Sequence, residues 1–279
     1  MKTTKLVSKL ALNRRLALLI PFAIIAIFFI ILPIILILVN ALTAHDDFDA
    51  WSLVKDNSTW VKIGRSLKIG ILSSIICLFL GFPYAYLIAR SKNPYLPIYG
   101  MSLIISPMII FTIARIYAIR GFFLSIVADE NTLNAEWFMV LALTYLNLPF
   151  MIMPLYSVFR DMPNNILEAS EDLGYNKFQT LIKVVIPYSL KAIISGFGLI
   201  FLSSATNFVI SDKLLPNKNQ LQMIGSVIND FSVASNKFAL ARGSALVLIV
   251  SAIFIGAYAL IQYLPKLISK FNKRGWKYE

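Results

Sequence analysis

Charge is scarce in this 279-residue chain: Asp, Glu, Lys and Arg make up 14% of it, against roughly 25% in soluble globular proteins. Hydrophobic residues take 58%, more apolar surface than a soluble core of this size can hide. Cysteine is nearly absent. Cys77 stands alone, so there is no intrachain disulfide framework, and its place in an apolar run reads as packing. Histidine is also single: His45 lies in an acidic segment without a metal-ligand cluster around it and reads as solvated. No group of His, Cys and carboxylates recurs at a common depth, which a membrane enzyme needs. No Gly-x-x-x-x-Gly-Lys-Ser/Thr phosphate loop occurs either, so the chain has no recognisable means of binding ATP.

What the chain has instead is six long uncharged runs, at 16–42, 69–89, 93–114, 137–159, 192–211 and 243–265. At about 1.5 Å rise per residue, some 20 residues cross the roughly 30 Å hydrocarbon slab. Inside a bilayer nothing but the chain itself can pair the backbone groups, so helix is the expected state of each run. The fold class expected is therefore an all-α membrane protein with six transmembrane helices. The basic start with Lys5, Lys9, Arg14 and Arg15, and the sequence Leu42-Thr43-Ala44, resemble a cleaved signal peptide. An apolar run covering 16–42 exceeds the usual 7–15 residues of such a peptide, so we read an uncleaved first helix with a bend at Pro33.

The net charge of +12 raises nucleic acid as a partner, and its distribution argues against one. Alternating the six spans places 16 Lys and Arg against 5 acids on one side, and 10 against 9 on the other. Excess Lys and Arg marks the cytoplasmic face, so both termini, with tails at 1–15 and 266–279, are expected on the cytoplasmic side of a bacterial plasma membrane. Trp51, Trp60 and Trp137 fall beside the outer segments, where amphipathic rings anchor in lipid headgroups.

The cytoplasmic side then holds one long loop, 160–191. Within it, Pro163 suits a first helical position, and Ile166, Ala169 and Leu173 recur at helical spacing. Gly174 supplies the left-handed residue that ends a helix. Asn176 caps a second stretch, in which Phe178, Leu181, Ile182 and Val185 share a face until Pro187 bends the chain towards the fifth span. An amphipathic hairpin lying on lipid is one reading. Such helices carry Lys and Arg on their polar face, whereas Glu168, Glu171 and Asp172 make this one acidic, which suits a protein partner better.

At these residues the chain resembles the permease subunits of bacterial ABC importers. Their loop pattern is Glu-Ala-Ala, three residues, Gly, nine residues, Ile-x-Leu-Pro; here it reads Glu168-Ala169-Ser170, Gly174, and Val184-Val185-Ile186-Pro187. Ser170, Val184 and Ile186 depart from it by small changes of volume. The likeness narrows to the spermidine/putrescine importers through 148–157, 167–187, Arg115-Ile116-Tyr117 and Val209-Ile210-Ser211-Asp212. The resemblance implies a type I ABC importer permease fold with a core at 60–265. It also implies a second permease, two copies of a cytoplasmic ATPase and an extracytoplasmic polyamine-binding protein. The chain is then a transport subunit and not itself an enzyme, with ATP and Mg held by the partner ATPase and no cofactor of its own. Glu168, Ala169, Ser170, Asp172, Leu173, Gly174 and Pro187 are the implied coupling residues.

A substrate path is harder to draw. A polyamine leaves water only against carboxylates, carbonyls or aromatic faces, and no acid falls inside any of the six runs. Asp212 ends the fifth run and can meet substrate or pair with Arg115; Tyr117, Asn147, Ser203, Ser204 and Asn207 can line a cavity or bond between helices. The alternatives are an ABC permease for another small solute, such as an anion or an aminophosphonate, and an ATP-independent carrier. Paired broken helices and midplane charges, which mark such carriers, are not evident in the sequence.

Overall fold

The computed structural model describes residues 19–42, 49–127, 129–217, 220–232 and 236–275, with backbone alone from 264 onwards. The N-terminal tail 1–15 and His45 lie outside the described residues. Among those described, every regular element is helical. In chain order the principal helices are α1 (Ile20–Leu42), α2 (Asn57–Ala89), α3 (Tyr95–Ile109, its last turn 3-10) and α4 (Thr112–Ile126). There follow α5 (Glu136–Asp161), α6 (Asn164–Asp172), α7 (Lys177–Ala205), α8 (Ile224–Phe231) and α9 (Lys237–Gly275).

Five of these, α1, α2, α5, α7 and α9, are each long and apolar enough to cross a membrane; α3 and α4 complete six when counted together as one span. That pair corrects the expectation of a single helix over 93–114. Its two arms are bent by 99°. The 3-10 turn Ser106–Ile109 contains Pro107, and Ile110 and Phe111 are extended, with ψ of 137° each. Proline has no N–H to continue a helix. Hydropathy runs unbroken through 105–114, so a break in backbone geometry leaves no trace in it. The outer segment expected from Arg115, long enough for a short helix, begins within α4, which ends at Ile126.

The chain divides into two units. One comprises Met1–Lys55 and Phe231–Ile249 and so contains α1. The aromatic side chains of α1, Phe22, Phe28 and Phe29, are exposed. Near Pro33, where a bend is expected, α1 carries a π-helical turn, Ile27–Ile31, which ends two residues before it. In the same unit Asp49 accepts a 2.6 Å bond from Lys55.

The other unit, Asp56–Asp230 and Val250–Glu279, is built on α2, α5 and α7. α2 starts well before its apolar run because Asp56 caps it, accepting from the Ser58 N–H at 3.0 Å and the Ser58 hydroxyl at 2.7 Å. Small residues let the helices close in on each other. A Cβ on Gly70 of α2 would lie 2.9 Å from the Ala205 Cβ of α7. Cys77 is fully buried, its thiol directed at the Thr144 carbonyl of α5, 3.5 Å away. Two apolar clusters fill this unit. One joins Ile69, Ile116, Phe138 and Leu214; the other joins Cys77, Ile88, Met151, Phe159 and Val185.

α7 corrects a second expectation. Pro187 was to bend the chain into a span beginning near 192, yet the helix runs unbroken from Lys177 to Ala205. A π-helical turn, Leu181–Val185, ends two residues before Pro187, as its counterpart does before Pro33. Widening the turn takes up the missing N–H and the ring clash without breaking the rod.

Candidate functional site

The α6–α7 hairpin is set by backbone chemistry. Pro163 is the N-cap rather than the first helical residue: its ψ of 140° is extended and α6 begins at Asn164. At the other end Gly174 has φ of +77°, the left-handed value expected of it. The Gly174 N–H donates to the Glu171 carbonyl at 2.8 Å and the Tyr175 N–H to the Ser170 carbonyl at 3.1 Å. This pair of bonds is the Schellman arrangement and requires a residue at ease at positive φ. Asn176 then opens α7 as expected, accepting from the Gln179 N–H at 2.8 Å while its own N–H donates to Gln179 Oε1 at 3.0 Å. The sequence contains this Asn-x-x-Gln capping box, and Gln179 was readable from it.

Side chains complete the hairpin. The Ser170 hydroxyl donates to the Leu167 carbonyl at 2.8 Å and lies 2.9 Å from the Thr180 hydroxyl, joining α6 to α7 in a buried contact. A departure from the loop pattern that looked like a mere volume change is thus a hydrogen-bonding one. Lys183 places its ammonium 4.5 Å above the Tyr175 ring. Of the two predicted apolar stripes, Val185 is buried, whereas Leu173 and Phe178 are 73% and 69% exposed. Glu168, Glu171 and Asp172 are exposed beside them. A cavity of about 430 Å³ opens here between Ile166, Ala169, Leu173, Tyr175 and Val184. An acidic, apolar-tipped hairpin held by its own hydrogen bonds is suited to docking into a basic protein groove.

The path residues fall into separate places. Asn147 of α5 is 4% exposed; its Oδ1 accepts from the Ser203 hydroxyl and its Nδ2 donates to Ser204 Oγ, both at 3.0 Å. This neutral polar knot sits between α5 and α7. Asn207 Oδ1 accepts from the Ile210 N–H at 3.0 Å, capping the turn Ile210–Leu214 in which Asp212 lies. Asp212 accepts from the Ser226 hydroxyl of α8. Arg115 of α4 donates to the Thr112 hydroxyl at 3.2 Å, and Tyr117 is 49% exposed. Among the described residues no group of three or more His, Cys, Asp or Glu is arranged to hold a metal.

Four contacts near these residues escaped the sequence reading. Glu136 meets Lys68 at 2.7 Å and Arg65 at 3.4 Å, and Arg65 also donates to the Gln222 carbonyl at 3.0 Å. Ser226 escaped as well. No local pattern announces such long-range pairs.

Comparison with known proteins agrees with this geometry. Residues 78–270 match the family described as binding-protein-dependent transport system inner membrane component. A spermidine/putrescine transport system permease protein PotB homolog of Mycoplasma genitalium is 30% identical over 93% of this chain and 95% of its own length. PotB of Haemophilus influenzae is 31% identical, covering 75% of this chain and 80% of its own. PotB of Escherichia coli is 30% identical, covering 72% and 80%. A bacterial ABC transporter involved in import of the acidic polysaccharide alginate has a chain of the same fold, with a TM-score of 0.66 at 16% identity, covering 94% of this chain and 97% of that one. The chain belongs to the inner membrane components of binding-protein-dependent transport systems and is a multi-pass ABC permease similar to PotB.

Proposed function

We propose that the chain forms half of the translocation pathway of an ATP-driven importer for spermidine and putrescine. Its partners are a second permease (PotC-like), two ATPase subunits (PotA-like) and an extracytoplasmic binding protein (PotD-like). The permease core spans 60–265, and both termini face the cytoplasm of a bacterial plasma membrane. The α6–Gly174–α7 hairpin is the observation that carries this reading. In it, α6 sits in a groove of the ATPase, Glu168 meets a basic residue there, and closure of the ATPases on ATP moves the hairpin as one body. The Schellman bonds at Gly174 and the capping box at Asn176 support rigid movement. The chain supplies shape and polar groups, and the chemistry of ATP hydrolysis stays with the partner.

The neutral knot at Asn147, Ser203 and Ser204 offers dipoles to a passing amine without trapping it. Arg115, Tyr117, Asn207 and Asp212 border the outer approach. Much of the discrimination between cations then rests on the binding protein or on the second permease. The test is uptake of labelled spermidine into vesicles carrying the whole complex, with unlabelled putrescine, anions and aminophosphonates as competitors. Competition by polyamines alone is the expected result; competition by an anion alone rejects the polyamine assignment. Labelling a cysteine placed at position 176 from outside intact cells would reject the orientation and the motor together.

A further inference from the structure

The hairpin's movement is useful only if something passes it to the membrane helices, and the chain between α5 and α6 shows where. Met162 is 2% exposed, and both it and Pro163 are extended, with ψ of 121° and 140°. Arg90, the residue that follows α2, reaches across to this link. Its Nη2 donates to the Met162 carbonyl at 2.6 Å and its Nη1 to Asn164 Oδ1 at 2.8 Å, on the first residue of α6. Close by, the buried Phe159 ring of α5 meets Phe82 and Tyr86 of α2 edge-on, with centroids 5.1 Å and 5.4 Å away. The last turns of α2 and α5 and the start of α6 are therefore one packed block.

Helix dipoles favour the guanidinium at the C-termini of α2 and α5, where the Met162 carbonyl lies, and oppose it at the N-terminus of α6, so they do not account for the contact with Asn164. Among the described residues no carboxylate pairs with it: both acceptors are neutral, and they stand two residues apart in a fixed fork. A planar guanidinium spans such a pair; an ammonium satisfies one.

We propose that Arg90 is a positioning residue that ties α6 to α2, so that the second membrane helix moves with the coupling hairpin. This rests on the hairpin reading above and adds the membrane element that the hairpin drives. Ser170 and Thr180 make the equivalent tie to α7 at the far end of α6.

The experiment uses the whole complex in proteoliposomes and measures spermidine transported per ATP hydrolysed, a ratio that complex yield alone does not alter. Arg90→Met keeps the alkyl stem and removes both bonds. The ratio is expected to fall about tenfold, about threefold for each of the two lost bonds. Arg90→Lys, which retains one bond, is expected to recover part of it. Leu173→Asp, at the exposed tip, serves as the comparison. If Leu173→Asp lowers the ratio and Arg90→Met leaves it unchanged, the Arg90 link is wrong and the hairpin reading stands. If neither variant changes the ratio, both are wrong. Should Arg90→Met fail to assemble, Asn164→Ala decides alone, with about a threefold fall expected for one lost bond and an unchanged ratio overturning the link.

Discussion

The two polar regions of this permease spend their hydrogen bonds in opposite ways. In the α6–α7 hairpin the backbone is satisfied by the Schellman bonds at Gly174 and the box at Asn176, so Leu173, Phe178 and the acids are left outside, available to a partner. Between α7 and α8 the side chains do the pairing: Asn207 caps a turn, and Ser226 donates to Asp212. There Gly225 packs so tightly that a Cβ would lie 2.7 Å from the Thr206 carbonyl oxygen. A region that completes its own backbone presents its side chains to others. One that completes itself with side chains has fewer to offer, and its sequence is tied to its own packing.

This contrast can be broken, beginning with the largest effect. Gly174→Val forces a β-branched residue into φ of +77°, at a cost of about 1–2 kcal/mol or more. Because nothing crowds that position, the complex should still assemble. ATP hydrolysis should continue while uptake falls by an order of magnitude or more; normal uptake by the assembled variant would remove Gly174 from the mechanism. Gly225→Ala probes the opposite region, where backbone oxygen leaves no room. It should lower stability by about 1–3 kcal/mol through overpacking, seen as a lower Tm in detergent, with transport per ATP unchanged in the surviving complex. A change in that ratio without loss of Tm would mean that this end takes part in coupling.

Ser226→Ala removes the donor to Asp212 and should cost about 1 kcal/mol. If Asp212 serves substrate, the variant should alter the KM for spermidine more than it alters Tm; the reverse order makes the pair structural. The smallest effect is expected at Asp56. The Ser58 hydroxyl, and then the Ser58 amide, hold its carboxyl below the ordinary 3.8. A lowered value means that the cap stabilises α2 fully above pH 3.8 and loses this as pH falls through the folded-state value. Amide exchange in the first turn of α2 should therefore quicken in acid, and Asp56→Asn should abolish that pH dependence while keeping a cap.

Much of the hairpin was legible because its determinants are local. A glycine where φ must be positive and an asparagine where a helix must start act through bonds to residues within five positions. The Ser170 bond to Thr180 was not legible, although both residues lie in the motif, because only the turn at Gly174 turns α6 back on α7. Pro163 was misplaced by one position for a related reason. Either role, N-cap or first helical residue, leaves its missing N–H harmless, and the extended link from Met162 decides between them.

The amino-acid sequence by itself determined that the chain crosses a membrane several times, how its Lys and Arg are shared among the segments between the apolar runs, and where the glycine turn of the hairpin falls. Apolar runs, charge distribution and turn residues act over short stretches, and each can be read without knowing its neighbours in space. Only the tertiary structure decided that the third run is bent by 99°, that α7 continues through Pro187, and that Arg90 reaches the start of α6. These depend on which helices come together, and an apolar run looks the same whether its helix is straight, widened or broken.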